Sequence, residues 1–444
     1  MNGTIIFRNP RRGLLWIKVA LSTFKRHCVT KVLTFRVILF VFTPVKIVVT
    51  GFLGDLTSNF DCILPDMTNI LCRKKGMSKE AAWTRAATME GLERHVRTAA
   101  GTSTSTYKNV PGQPPCGGEG QGKADSMAAW TLISSIMLTS HKNLCHGIEL
   151  IDVTGKIKSR RTNDMYVDES DGYASAPDTN TVAEAISNMQ NHAQVWAVLV
   201  AITGGLLAFH KCHWQILAWA AVGGYYLMMS DRKIDGDLSL KDHKGKTFEI
   251  PQKNALLPNP GLGFLLCPNG DQSYEFKNRL AQVKECASRI RTAALTIPEA
   301  WLALVTRVLP RITYPFGLTR FTKTQLHMLS VVLDNTFLLK LGINRNMPRV
   351  VVYGPNELGG ISYPSLETIQ DQKGISLFLR QLQWDRDVAN DLRILLSRAQ
   401  LDSGLMHPIM DATKTRVPYL EEGLISHLRD RLGYMGASIV ISET

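Results

Sequence analysis

The first 54 residues of this 444-residue chain contain no acidic side chain, and its eight cysteines include no Cys-x-x-Cys pair. Scattered cysteines (28, 62, 72, 116, 145, 212, 267 and 286) suit reduced thiols in an intracellular protein and give no structural zinc signature. His210-Lys211-Cys212-His213 lacks a fourth ligand, so it reads as core or surface rather than as a metal knot. No apolar run reaches the roughly 20 residues needed to span a bilayer. Val37 to Phe42 is cut short by Pro44 and Lys46. The runs Val195 to Phe209 and Trp214 to Met229 are separated by His210 to His213. A membrane protein with a short hydrophobic hairpin is therefore the weakest of the function classes considered. No internal repeat, endonuclease pattern or RNase H pattern is present.

What is there is ordinary globular material, 45% hydrophobic and 20% charged, with a net charge of +13. That charge favours an anionic partner such as nucleic acid or a membrane surface. Nine of the basic residues (8, 11, 12, 18, 25, 26, 31, 36 and 46) fall in the segment without acids, so charge is weak support for any role of the rest. The length allows two or three domains.

From Ile47 a β-rich run leads to Asp55. Ser78 can cap a helix through Ala81, Ala87, Leu92 and Val96, with Glu80 in its first turn. A loop rich in Thr, Ser, Gly and Pro follows, and then Met127, Trp130, Ile133, Ile136 and Met137 at helical spacing. Thr181 with Glu184 makes a capping-box pattern before Ile186, Met189, Ala193, Trp196 and Val200, and Gly204-Gly205 ends that helix. Residues 214–229 predict a strand pair broken at Gly223-Gly224. Three helices are expected at about 274–293, 298–308 and 323–340, and residues 345–444 as a Gly/Pro-rich stretch and then mostly helix. The alternation predicts an α+β fold: a small antiparallel sheet with helices on one face, followed by helical regions.

Two carboxylate motifs carry the chemistry. One is Asp55-Leu56-Thr57-Ser58-Asn59-Phe60-Asp61 at a strand end, and the other is Tyr166-Val167-Asp168-Glu169 far downstream. Between them lies the Gly-rich turn Gly118-Glu119-Gly120-Gln121-Gly122. Alone, Asp55 reads as a turn residue and Asp168-Glu169 as a solvated acid pair. In series they match what nucleotidyl transfer requires. Two Mg²⁺ ions about 3.5–4 Å apart must be held by hard oxygens from rigid, adjacent strands.

In that order of motifs the chain resembles the reverse transcriptases of non-LTR retrotransposons, over about residues 51 to 440. The resemblance implies an RNA-directed DNA polymerase working on an RNA template, a DNA primer and deoxynucleoside triphosphates, nuclear if active as a retroelement protein. It implies Asp55, Asp168 and Glu169 as catalytic metal ligands for two Mg²⁺ ions, with Mn²⁺ as an alternative. Phe60 would lie beside the incoming sugar, Gln121 and Gly122 would contact template and nucleotide, and Gly205 with Lys211 would match the segment near the triphosphate. Gly261 to Gly270 resembles a primer grip. Pro298 to Leu304 and Tyr314-Pro315 resemble thumb helices, where Lys277, Arg279, Lys284, Arg289 and Arg291 offer phosphate contacts. The implied division is an unmatched basic segment at 1–50, palm with partial fingers at 51–255, thumb at 256–345 and a C-terminal helical region at 346–444.

Three departures bear on activity. Glu169 stands where the family has Asp, and its extra methylene shifts the carboxylate by about a bond length. The flank Lys158 to Asp164 is polar where a buried strand should be apolar. Only 54 residues precede Asp55, so the resemblance implies an N-terminally truncated chain without the family's fingers. The expectation is little or no polymerase activity. The alternatives are a catalytically dead nucleic-acid-binding relic and the membrane reading above.

Overall fold

The structure is a computed structural model that describes residues 48–57, 63–99, 101–108, 126–223, 225–229, 234–384, 386–411, 413, 415–418, 420 and 423–441. Phe60, Asp61, Gln121, Gly122 and the basic segment 1–47 lie outside the described residues. Two compact units divide the chain. Among the described residues, the first comprises 48–149 and 160–255 and the second 150–159 and 256–441.

The first unit is built on strand β1 (Val49–Thr57). After it come helices α1 (Pro65–Lys74) and α2 (Lys79–Glu90), hairpin β2 (Arg94–Thr98) and β3 (Gly101–Tyr107), then helix α3 (Ser126–Leu144). Strands β4 (Ile148–Ile151) and β5 (Lys158–Arg161), of which residues 150–159 fall in the second unit, and then β6 (Asn163–Tyr166) and β7 (Glu169–Ser175) precede helix α4 (Val182–Ile202). Strands β8 (Leu206–Leu207), β9 (His213–Leu217), β10 (Trp219–Val222), β11 (Tyr225–Met228), β12 (Leu238–Lys241) and β13 (Thr247–Ile250) complete the unit.

The central sheet is antiparallel throughout. β7 lies between β6 and β1, and β1 pairs on its other edge with β9 at Val49–Leu53 and with β8 at Leu56 and Thr57. Successive side chains of a strand point to opposite faces, and burial along β1 follows that period. Thr50, Phe52 and Leu56 are buried against the helices, with Ser170 and Ala174 of β7 on the same side. α4 crosses this face. Trp196 Nε1 donates to Ser170 Oγ at 3.0 Å, and Thr50 Oγ1 donates to the carbonyls of Ala174 and Ala185. Gly172 lets α4 come this near, because a Cβ there would lie 2.7 Å from His192 Cε1. The core around Phe52, Trp130, Ile133, Met189, Trp196 and Trp214 fills the space between sheet and helices.

Local signals explain most boundaries. Ser78 Oγ accepts from Ala81 N at the start of α2. At α4, Thr181 Oγ1 accepts from Glu184 N, but the Glu184 carboxylate reaches back to Thr179 N and Oγ1 and to Asp178 N rather than to the N-cap amide. α2 stops at Gly91, so Leu92 and Val96 are not on it. Its buried positions are Ala82, Ala86 and Met89, and Val96 is an exposed residue of β2. β10 and β11 form the strand pair expected around Gly223-Gly224. The run from Val195 to Phe209 is the end of α4 and β8, with Trp196, Ala197, Val200 and Leu207 in the core and Val198, Ile202 and Leu206 exposed. Among the described residues no helix is long and apolar enough to cross a membrane.

The polar flank from Lys158 has a plain cause: Lys158–Arg161 form β5, paired with β4 in a separate two-stranded sheet, and β6 is an edge strand of the central sheet. Around β6 the buried polar groups are only partly matched, and the Asn163 side-chain amide has no hydrogen-bond partner. Arg161 pairs with Asp164 at 3.7 Å, each about nine-tenths buried, while the Thr162 carbonyl accepts from Tyr173 N and stands 2.8 Å from His192 Nε2.

The second unit opens with hairpin β14 (Asn259–Gly261) and β15 (Phe264–Leu266). Its two-residue turn has positive φ at both Leu262 and Gly263, the sign pattern of a type I′ turn. Helices α5 (Ser273–Thr292), α6 (Ile297–Ala303), α7 (Leu309–Thr313), α8 (Lys323–Lys340), α9 (Arg349–Tyr353), α10 (Leu366–Trp384), α11 (Arg386–Ser403) and α12 (Leu424–Met435) follow. A π-helical turn, Leu304–Val308, joins α6 to α7 just before Pro310, which has no amide hydrogen to give. Capping boxes start α6 (Thr296 and Glu299) and α8 (Thr322 and Gln325). One core cluster runs from Phe276 through Phe316, Leu333 and Phe337 to Leu366. The residues on either side of 345 thus share a core. The fold class is α+β, with small antiparallel sheets and a helical second unit.

Candidate active site on the polar face of the sheet

The face of the sheet away from α4 carries Val49, Tyr173 and Leu217, all buried, at one end and polar side chains at the other. In the register of β1 with β7, Asp55 lies directly opposite Glu169 and Leu53 opposite Asp171. On the other edge Leu53 faces His213 and Gly51 faces Gln215. Residues directly opposite in an antiparallel pair share a face, so Asp55, Glu169, Asp171, His213 and Gln215 stand together. β6 adds Asp164, opposite Asp171.

Asp168 belongs to the two-residue turn between β6 and β7, closed by the pair Tyr166 and Glu169. Leu56 N donates to the Asp168 carbonyl at 2.9 Å, which ties the turn to the end of β1 beside Asp55. The turn is strained. Val167 has φ +56°, and a β-branched residue rarely enters that region. Such strain costs on the order of 1–3 kcal/mol and collects where geometry serves function.

Lys211 reaches the same place. The Asp55 carbonyl accepts from Ala208 N, and the Ala208 carbonyl in turn accepts from Lys211 N, each at 2.8 Å. This short relay fixes the loop after β8 to the backbone of Asp55 itself, and it delivers the Lys211 ammonium to 3.2 Å from Asp55 Oδ1. Beneath it, Cys212 is buried with its thiol on the Ala208 carbonyl, and burial pushes that thiol up to about 11.

The sequence motifs therefore converge in part. Asp55, Asp168, Glu169 and Lys211 meet at one end of the sheet, while Gly205 lies in the turn between α4 and β8. Phe60, Gln121 and Gly122 fall outside the described residues. Asp171 and Asp164 were missed. Asp171 had a usable signal, because it stands two positions after Glu169 and a strand returns to the same face every second residue. Burial pushes the Tyr173 phenol well above its ordinary range, with Asp164 and Asp171 adding to the effect.

Divalent metal is chemically suited to these hard carboxylate oxygens. Among the described residues, however, no group of three or more His, Cys, Asp or Glu side chains is set to hold a metal ion.

The supposed duplex-binding row on α5 also changes. Arg279 is buried and held by Glu275 at 2.5 Å, the Arg311 carbonyl at 2.8 Å and the Gly263 carbonyl at 2.7 Å. It braces the second unit's hairpin and is not available to phosphate. Arg289 pairs with Glu285 on the surface, and Arg291 donates to Thr336.

No protein-family model matches the chain, and no curated protein matches it. Among solved structures it is similar to a telomerase from Candida tropicalis in complex with a TWJ fragment of telomeric RNA, at 10% identity and a TM-score of 0.34. That alignment covers 83% of this chain and 52% of that one. A telomerase from Candida albicans, with a TWJ fragment of telomeric RNA, gives 11% identity, a TM-score of 0.29, and 82% and 52% coverage. The chain spans about half the length of these structures.

Proposed function

We propose that the chain is a reverse-transcriptase-like protein, of the kind found in non-LTR retrotransposons, that binds an RNA template paired to a DNA primer and has low nucleotidyl-transfer activity. The single observation that carries the reading is the register that sets Asp55 opposite Glu169, beside a strained turn holding Asp168 and within 3.2 Å of a lysine. Acids at the ends of adjacent strands, with one cation among them, suit a centre where phosphate and divalent metal meet.

Asp55, Asp168 and Glu169 are the proposed ligands for two Mg²⁺ ions, with Mn²⁺ as a substitute. Such ions would stabilise the attacking and leaving oxygens of phosphoryl transfer. Lys211 is the proposed partner of the triphosphate of an incoming deoxynucleotide. Turnover is expected to be low because Glu169 reaches further than aspartate would.

The test has two arms. A labelled RNA–DNA hybrid should bind with affinity that falls steeply as salt rises, as phosphate contacts require. Absent or salt-insensitive binding overturns the proposal. Primer extension on an RNA template with Mg²⁺ or Mn²⁺ should yield at most trace addition, lost in Asp55→Asn. Robust extension contradicts the low turnover. Salt-dependent binding with no Asp55-dependent addition at all would favour the second reading, a relic that binds nucleic acid without chemistry.

A further inference from the structure

Strands β12 and β13 form a hairpin that is held more firmly than two strands hold one another. Helix α4 lends it a substitute edge. Gln190 Oε1 accepts from Ser239 N at 2.9 Å while Gln190 Nε2 donates to the Ser239 carbonyl. One turn on, Gln194 repeats the pattern with Lys241, at 2.8 and 3.1 Å. Each carboxamide exchanges both hydrogen bonds with one backbone residue, as a residue opposite it in an antiparallel strand would. At the root, Trp214 N donates to the Pro251 carbonyl and Trp214 Nε1 to the Ile250 carbonyl, each at 3.1 Å. Leu238, Leu240 and Ile250 are buried on the inner face. Phe248, opposite Leu240, stacks on Phe209 with centroids 4.4 Å apart and planes 5° apart.

What this support carries is a tip without an apolar side chain, Lys241-Asp242-His243-Lys244-Gly245-Lys246. Its three lysines and its histidine are exposed. Its one acid is turned to the backbone, where Asp242 Oδ1 accepts from Lys244 N at 2.8 Å and Lys246 N at 2.9 Å. The other acid of the hairpin, Glu249, lies further down β13 opposite Ser239. Lys246 Nζ stands 4.9 Å from the centroid of Phe248. Phe209 comes two residues before Lys211, so the stacked rings tie this basic tip to the loop that brings Lys211 to Asp55.

We propose that the β12–β13 tip is a second nucleic-acid contact, in which Lys244 and Lys246, with Lys241 and His243 beside them, grip phosphates of the hybrid outside the site that Lys211 serves. The proposal rests on the reading of the chain as a binder of an RNA–DNA hybrid, and it names a surface for that partner. Clustered exposed cations match a phosphate backbone. A hairpin made to enter lipid would carry apolar side chains at its tip, and this one has none. A tip already fixed by α4 and by the Phe209–Phe248 stack loses little freedom when it binds.

The test uses the full chain and a labelled RNA–DNA hybrid titrated at several salt concentrations. Lys244→Gln/Lys246→Gln removes two charges from the tip, and Lys74→Gln/Lys75→Gln removes two exposed charges at the end of α1. Circular dichroism checks that both variants are folded. The tip variant should lower the slope of log affinity against log salt by about 1.4–1.8 and weaken binding about ten- to fiftyfold at 0.1 M salt, while the α1 variant stays within about threefold of wild type. A second readout needs no variant: acylation of Lys244 and Lys246, located by mass spectrometry, should slow when the hybrid is added, while that of Lys74 and Lys75 does not. If wild type binds with a steep salt dependence, but the two variants have equal slopes or the tip lysines keep their reactivity, the tip proposal is wrong and the functional reading stands. If wild type binds no hybrid, or binds it regardless of salt, the functional reading falls and the tip proposal with it.

Discussion

The two faces of the central sheet are made from the same five strands and are built to opposite rules. On the face beneath α4, the apolar residues Phe52, Leu56 and Ala174 are buried, and the polar atoms of Thr50 and Ser170 have partners a few ångströms away. The opposite face sets Asp55 against Glu169 and Asp164 against Asp171, like charges that weaken strand pairing, and adds a β-branched residue at positive φ. The first face supplies stability that the second spends. A sheet made only to be stable would not place its acids opposite one another.

Breaking the packed face should have the largest effect. Phe52→Ala removes a fully buried ring from the middle of the core and should cost about 3–5 kcal/mol in urea unfolding. A loss under about 1 kcal/mol would mean the sheet and helices are not packed as described.

Acid should open the same face. Burial holds His192 well below its ordinary range, with His141 beside it adding to the effect, and burial lowers His141 too. Their rings stand edge to face at 4.1 Å, with both Nδ1 atoms buried and without hydrogen-bond partners. A histidine whose folded pKa is depressed is protonated first in the unfolded chain. Its contribution is therefore complete above the unfolded value near 6.5 and is lost as pH falls below it. The first unit should lose up to about 1.4 kcal/mol per histidine for each pH unit below 6.5. In the second unit, burial lowers His427 to about 4 with the same sign, but burial raises Asp334 and Asp371, which favours the folded state toward acid. Calorimetry between pH 7 and 5 should show the first unit falling faster. Equal shifts in both units would contradict this contrast.

Gly172→Ala sharpens the comparison at one atom. Its new methyl would meet the buried His192 ring at 2.7 Å, at an expected cost of about 1–3 kcal/mol in the same unfolding assay. The smallest effect has the opposite sign and falls on the polar face. Val167→Gly relieves the strained turn and should raise stability by up to about 1 kcal/mol, net of glycine's greater freedom in the unfolded chain. A destabilised Val167→Gly would show that the side chain, not the strain, is what matters there.

The parts of this molecule legible in the sequence were those governed by local chemistry. Ser78 and Thr181 cap the helices they precede, Pro298 sits in the first turn of α6, and Gly204-Gly205 closes α4. Asp55 and Asp168-Glu169 could be singled out by spacing and order. What local pattern could not supply was neighbourhood. Whether the polar stretch from Lys158 was a defect or an edge depended on pairing: β5 lies in a two-stranded sheet with β4, and β6 is at the edge of the central sheet. Arg279 looked like one more basic residue of α5 until a carboxylate and two carbonyls enclosed it. Leu92 and Val96 fitted a helical period that a single glycine ended. The contact between Lys211 and Asp55 spans 156 positions and is set by the pairing of β8 with β1.

The measurement that tests the contrast between the faces most directly is hydroxyl-radical footprinting of the full chain with and without an RNA–DNA hybrid. The polar face should be where nucleic acid lands, so Leu53, Tyr166 and Val167 should lose reactivity on binding. Val198 and Ile202, exposed on the outer side of α4, should keep theirs. Protection of Val198 and Ile202 with no change at the turn would contradict the account.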